Sequence, residues 1–363
     1  MAPPGIGNSV EIRPEATASS AERSSSNGVA TFQKDIVVLD GGFATQLGCH
    51  VQQPIDGDVL WSSRFLATNP EAVIDTHLDF LRAGADVIIT NTYQADVNLF
   101  AKHLNMTKEE GYNLIKDSVK MAKTAVERYL KEYPEARKPL IAGSVGPYGA
   151  SLHDGSEYTG AYAKTTSAET MREWHGPRIK ALVEGGVDLL AIETIPNAVE
   201  AEMLVQLIKE EYPNVKAWLA FSVAQDGKSI AYGEDFKTIA RKCYDSNPEQ
   251  LVAIGINCTA PRLIEPLLTG INDDRKDNPR PLIVYPNSGE SYNVELGEWS
   301  QSSLTDGPRD DSRWHNRENC EPVDTNIHKW LDLGVTWVGG CCRTYAVDVT
   351  RIRDQVQLWK EKQ

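Results

Sequence analysis

The chain has 363 residues, 41% apolar and 24% charged, enough to bury one large core or two modest ones. No uncharged apolar run reaches the roughly 18 residues of a membrane span, so a membrane association is not expected. The 51 acidic against 37 basic residues leave a net charge of −14, and with no Lys/Arg-rich stretch this speaks against a nucleic-acid partner.

Residues 1–31 are rich in Ser, Ala, Pro and Glu without helical or strand periodicity, and read as a disordered tail. They contain no apolar core of a secretory signal. Glu11, Glu15 and Glu22 do not suit an acid-poor organellar presequence, so a cytoplasmic location is expected. Residues 32–363 read as one domain. Within it, eight short apolar runs recur at 36–40, 87–90, 140–144, 189–193, 218–222, 252–258, 282–287 and 336–341. Most are apolar throughout, which suits strands covered on both faces. Amphipathic stretches such as 70–83, 171–185, 198–211 and 347–360 lie between them. Eight repeats of strand then helix predict an α/β fold, a single-domain (β/α)8 TIM barrel. An open doubly wound sheet would place a G-x-G-x-x-G turn after the first strand, and Asp40-Gly-Gly-Phe-Ala-Thr does not match it. One connection is unusually long, an insertion at about 288–323 over the face where such barrels keep their active sites.

The carboxyl ends of barrel strands converge on one rim. Here they carry Asp40, Asn91-Thr-Tyr93, Gly143-Ser144, Glu193-Thr194, Phe221-Ser222, Asn257-Cys258, Tyr285-Pro-Asn287 and Gly339-Gly-Cys-Cys342. Six cysteines are too few for a disulfide scaffold in a chain of this length, and Cys341 and Cys342 are adjacent. With Cys258 two strands away, they suit a three-thiolate Zn2+ site with an open fourth position, Gly339 and Gly340 allowing the tight turn. Buried apolar thiols and a redox pair are the competing readings of Cys341-Cys342. An electron-rich thiolate zinc is a weak Lewis acid, better suited to presenting a substrate thiolate than to activating water. Cys49, Cys243 and Cys320 fall outside this pattern. No histidine has metal spacing, and His50 and His153 read as surface residues.

Seven motifs then resemble the homocysteine S-methyltransferase family. They are Asp40-Gly-Gly-Phe-Ala-Thr-Gln-Leu, Thr90-Asn-Thr-Tyr-Gln-Ala, Gly143-Ser-Val-Gly-Pro-Tyr-Gly-Ala, Glu193-Thr-Ile-Pro, Gly255-Ile-Asn-Cys, Val284-Tyr-Pro-Asn-Ser-Gly-Glu and Gly339-Gly-Cys-Cys-Arg-Thr. The resemblance spans about residues 35–360. It implies a zinc-bearing barrel in which Cys258, Cys341 and Cys342 hold the metal and the homocysteine sulfur takes the fourth place. Asp40 and Glu193 are suited to the substrate ammonium, and the amides of Gly42 and Phe43 to its carboxylate. Each carboxylate also has a helix-capping reading. Asn257 serves either the substrate or a neighbouring turn, and Tyr93 or Tyr148 offers a π face to a cationic donor.

The implied partners are small molecules, homocysteine and a methyl-sulfonium donor, with no required protein partner. S-methylmethionine is the first expectation for the donor, S-adenosylmethionine the second and betaine the third, because betaine-dependent relatives carry a long C-terminal arm. A non-catalytic zinc-binding barrel is the rival, and a corrinoid-linked subunit a further one. The convergence of Asp40 and Glu193 speaks against the former.

Overall fold

A computed structural model describes Val29, residues 35–289 and 322–363, and the backbone of 291–293 and 298–300. The tail expectation therefore lies almost wholly outside the described residues, as do Cys320 and most of the insertion. Val29 is the exception, buried in the barrel interior.

Eight parallel strands form one sheet in the order β1, β10, β7, β6, β5, β4, β3, β2. They are β1 (Val37–Val38), β2 (Val87–Ile89), β3 (Leu140–Val145), β4 (Leu189–Ile195), β5 (Lys216–Phe221), β6 (Leu251–Asn257), β7 (Leu282–Tyr285) and β10 (Val335–Val338). A parallel bridge between Leu39 and Val87 joins the two ends and closes the barrel. The Asp86 carboxylate adds a bond from the Val38 N–H at 2.8 Å. An antiparallel hairpin, β8 (Ser291–Asn293) with β9 (Glu298–Ser300), stands apart and was not expected from the sequence.

The continuous apolar runs are explained by two cores. Alternate residues enter the lumen, where Trp218, Tyr285 and Trp337 fill the space left by Ala142, Ala191, Ala220 and Ala253. Their neighbours, such as Ile141, Leu190, Leu219, Ile254 and Val284, face outward into the layer beneath the helices. Gly255 is dictated by closeness, since a Cβ there would lie 1.8 Å from the Ile283 carbonyl oxygen.

Helices start where the sequence offers caps. Asn69 accepts from Ala72 N at 3.2 Å and opens Pro70–Arg82. Thr107 and Glu110 form a capping box that opens Lys108–Glu132. Ala168–Gly185, Ala198–Glu211 and Ala346–Lys360 lie where the amphipathic stretches predict helices. Strand ends differ more. β10 stops at Val338, three residues before Cys341, because the chain must already turn there to bring both cysteines round.

Candidate active site

One pocket opens at the carboxyl ends of the strands, lined among others by Asp40, Glu193, Trp61, Tyr93, Tyr158 and the three cysteines. The Sγ atoms of Cys258, Cys341 and Cys342 all lie within 4.8 Å of one another. Cys258 leaves β6 in the left-handed region at φ +47°, as does Thr194 after Glu193 at φ +60°. Non-glycine residues held there cost of order 1–3 kcal/mol each and need support from their surroundings. That support is visible: Cys258 N donates to Tyr285 O at 3.0 Å, Cys341 N to Pro286 O at 2.7 Å, and Gly340 N to Asp40 O at 3.0 Å.

Gly339 and Gly340 serve close approach, and neither has a positive φ; in this turn that belongs to Arg343 at +64°. A Cβ on Gly340 would lie 2.2 Å from Thr344 Oγ1, and one on Gly42 would lie 2.4 Å from Cys341 O. Thr344 latches the two loops. Its Oγ1 donates to Cys341 O at 2.6 Å and accepts from Gly42 N at 3.1 Å, while its carbonyl accepts the same N–H at 3.0 Å. The Gly42 amide, expected at the substrate carboxylate, is bonded to Thr344 in this structure. The Phe43 N–H starts a helix turn beside the pocket and keeps no bond within the fold among the described residues.

The thiols are electrostatically unequal. Hydrogen bonds from Cys341 and Cys342 hold the Cys258 thiol well below its usual range. The Cys258 sulfur in turn pushes both neighbours up. Three thiols this close cannot all ionise without a cation, and three soft sulfurs facing one point are what a thiophilic metal requires.

Two carboxylates share the pocket. Asp40 is 1% exposed; its Oδ2 accepts from Ile89 N at 2.7 Å, while Oδ1 is buried with no hydrogen-bond partner among the described residues. Burial raises it well above the usual carboxylate range, and the charge of Glu193 adds to this. Burial likewise raises Glu193 to about 7, against hydrogen bonds from Ser144 and Tyr285. Tyr285 is itself held by Trp218 Nε1 at 2.9 Å. Neither carboxyl caps a helix, and both are desolvated with no cationic side chain paired to them among the described residues.

Asn257 takes the second of its two readings, the neighbouring turn. Its Oδ1 accepts from Thr194 N at 2.6 Å and its Nδ2 donates to Thr194 Oγ1 at 2.7 Å, so the side chain braces the turn after Glu193. Of the two tyrosines, Tyr93 lines the pocket, edge-on to Trp61 with centroids 6.1 Å apart. Tyr148 packs on Tyr162 and Trp174 away from it. His50 pairs with Asp79 at 2.7 Å and His153 with Gln94 at 2.7 Å, outside the pocket. Cys243 is a core thiol pushed up to about 12 by burial.

Residues 37–356 match the family model described as homocysteine S-methyltransferase. The chain belongs to the homocysteine S-methyltransferase family. It is 45% identical over 331 residues to a betaine-homocysteine S-methyltransferase of Drosophila melanogaster, covering 89% of this chain and 95% of that one. It is 37% identical over 324 residues to the homocysteine S-methyltransferase of Escherichia coli, covering 88% and 95%. The metallated form of the E. coli homocysteine methyltransferase MmuM superposes with a TM-score of 0.74 at 35% identity, over 90% of this chain and 98% of that one. Ser144, Tyr285, Tyr158, Trp61 and Thr344 were not assigned a role from sequence. Ser144 and Tyr285 stand at strand ends, and that position was their available signal; Trp61 and Tyr158 lie in short 3-10 turns between strands and helices, with no pattern to mark them.

Proposed function

We propose that this enzyme moves a methyl group from a cationic sulfonium donor to the thiolate of L-homocysteine at a zinc centre held by Cys258, Cys341 and Cys342. The observation that carries the reading is the pairing of that sulfur triad with two buried, cation-less carboxylates in one pocket. A bare metal reservoir has no use for Asp40 and Glu193, whereas an amino acid with a thiol uses both halves. When bound, the zinc would supply a fourth coordination place for the substrate sulfur and lower its pKa.

The chain's own residues do the rest. Asp40 Oδ1 and Glu193 receive the ammonium, ending the desolvation that raises both carboxyls. Phe43 N–H faces the carboxylate. Trp61 and Tyr93 present aromatic surface to the onium methyl. Thiolate and sulfonium become two neutral thioethers, so a pocket that excludes water favours the charge-annihilating transition state, and fixing both partners in line contributes further.

S-methylmethionine is the proposed donor, ahead of S-adenosylmethionine. Betaine is the second reading, favoured by the 45% identity to the Drosophila relative named for it. Because that relative is covered to 95% of its length, a long C-terminal arm does not separate the donors here. The test supplies metal-replete protein with homocysteine and each methyl-deuterated donor in turn, reading labelled methionine and the demethylated donor by mass spectrometry. Turnover with S-methylmethionine at the highest kcat/KM supports the assignment. Turnover with betaine alone reverses the donor, and no labelled methionine from any donor overturns the function.

A further inference from the structure

Behind the pocket, the helix Ala168–Gly185 carries Trp174-His175-Gly176-Pro177-Arg178, a cluster that the reaction chemistry leaves unexplained. Arg178 is only 2% exposed and forms no ion pair among the described residues. The carboxylates whose field it feels are Asp96 and Glu200. Both are occupied elsewhere. Asp96 caps the helix Val97–His103 and binds Trp174 Nε1. Glu200 accepts from Tyr148 N at 2.6 Å, from His175 Nε2 at 2.8 Å and from the Tyr162 hydroxyl.

A buried guanidinium carries a large desolvation cost, and this one directs its bonds to backbone carbonyls, with one long contact of 3.4 Å from Nη1 to His175 Nδ1 besides. Its Nη2 donates to Tyr93 O at 2.7 Å and to Thr92 O at 3.3 Å, and its Nη1 to Gly146 O at 3.1 Å. Its plane is backed by Trp174, 4.0 Å from Cζ to the ring centroid. The fork thus ties the chain after β2 to the chain after β3 at the point where Tyr93 enters the pocket. The same point is sterically tight, since a Cβ on Gly146 would lie 2.5 Å from Tyr93 O and 2.6 Å from its ring.

We infer that Arg178 is a positioning residue that sets the Tyr93 ring against Trp61 and thereby determines affinity and selectivity for the onium donor. This rests on the proposed function, because it takes the Tyr93 and Trp61 wall as the donor's side of the pocket. The cysteine triad and the two carboxylates have direct supports in Pro286, Tyr285, Ser144 and Ile89, none of which bonds Arg178, while Thr92 links the fork only indirectly to Ser144, so the effect of Arg178 falls first on the donor wall. No side chain other than an arginine reaches three carbonyls on two loops with one planar group.

The experiment compares the metal-loaded parent with Arg178→Met, Arg178→Lys and Gly146→Ala. Gly146→Ala keeps the arginine, displaces Tyr93 at the carbonyls the fork holds, and covers the case in which Arg178→Met does not fold. Metal content, homocysteine affinity by calorimetry, and KM for S-methylmethionine and betaine are read for each folded variant. The expected result is a donor KM raised about tenfold or more in Arg178→Met and Gly146→Ala, less in Arg178→Lys, and an altered ratio of kcat/KM between the two donors. Metal content and homocysteine affinity stay within about twofold of the parent. Donor KM unchanged in folded variants, or donor and homocysteine affinities falling equally, overturns the inference and leaves the function standing. A parent protein that methylates homocysteine with none of S-methylmethionine, S-adenosylmethionine and betaine overturns the function, and the inference with it.

Discussion

At the scale of single residues, the decisive feature is two carboxylates desolvated before any cation arrives. Replacing Asp40 by Asn, or Glu193 by Gln, removes a charge-assisted bond worth roughly 1.5–3 kcal/mol. Catalytic efficiency on homocysteine is expected to fall by about ten- to a hundredfold or more, at parental metal content. A thiol without an ammonium, 3-mercaptopropionate, should be a poor substrate of the parent and lose far less on mutation. Steady-state kinetics on both thiols check this; equal losses would make the carboxylates scaffold only. Stability gives a second handle. Burial raises Glu193 from 4.5 to about 7, so the folded, substrate-free chain holds a proton that the unfolded chain has released. The stability from this group is therefore full below about pH 4.5 and is lost as pH rises through about 7, roughly 3 kcal/mol in all. Metal-free Glu193→Gln should show a flatter decline in its denaturant midpoint across that window than the metal-free parent; parallel curves would rule it out.

At the scale of elements, the strand ends were legible in the sequence and the turns that follow them were not. Apolar runs announce β1, β4 and β6, and Asp40, Glu193 and Cys258 stand at the ends where those runs place them. Hydrogen-bond ownership has no such signature. Gly42 reads from the sequence as a substrate contact through its amide and Asn257 as either a substrate contact or a brace, and in the structure both bond a turn, through Thr344 and Thr194 respectively. Nor does any local pattern tell that Gly340 and Gly42 are required by contacts with residues distant in the chain or across a turn. Those contacts carry a prediction. Gly42→Ala forces a Cβ against Cys341 O and should displace the metal turn, so elemental analysis should find most of the zinc lost while circular dichroism remains that of the parent. Full zinc occupancy would show that the two loops are not coupled. Zinc loss also exposes crowded thiols. Reversal of the resulting inactivation by reductant plus zinc, with zinc alone ineffective, is the outcome expected of a disulfide formed to Cys341.

At the scale of the whole molecule, the closed barrel gathers β1, β4, β6, β7 and β10 around one point, so residues more than 300 positions apart, Asp40 and Cys341, line the same pocket. The barrel interior is filled by Trp218, Tyr285 and Trp337, which leaves the chemistry at the rim and makes the pocket floor rigid. Cys258→Ala, Cys341→Ala and Cys342→Ala should each lose most of the bound zinc, since a two-thiolate remnant is a far weaker site. The most direct test of the central claim is zinc K-edge X-ray absorption on the zinc-loaded protein, with and without L-homocysteine. Three sulfur ligands at about 2.3 Å plus one light atom should become four sulfurs when homocysteine is added. A sulfur count that stays at three in the presence of saturating homocysteine would contradict the account.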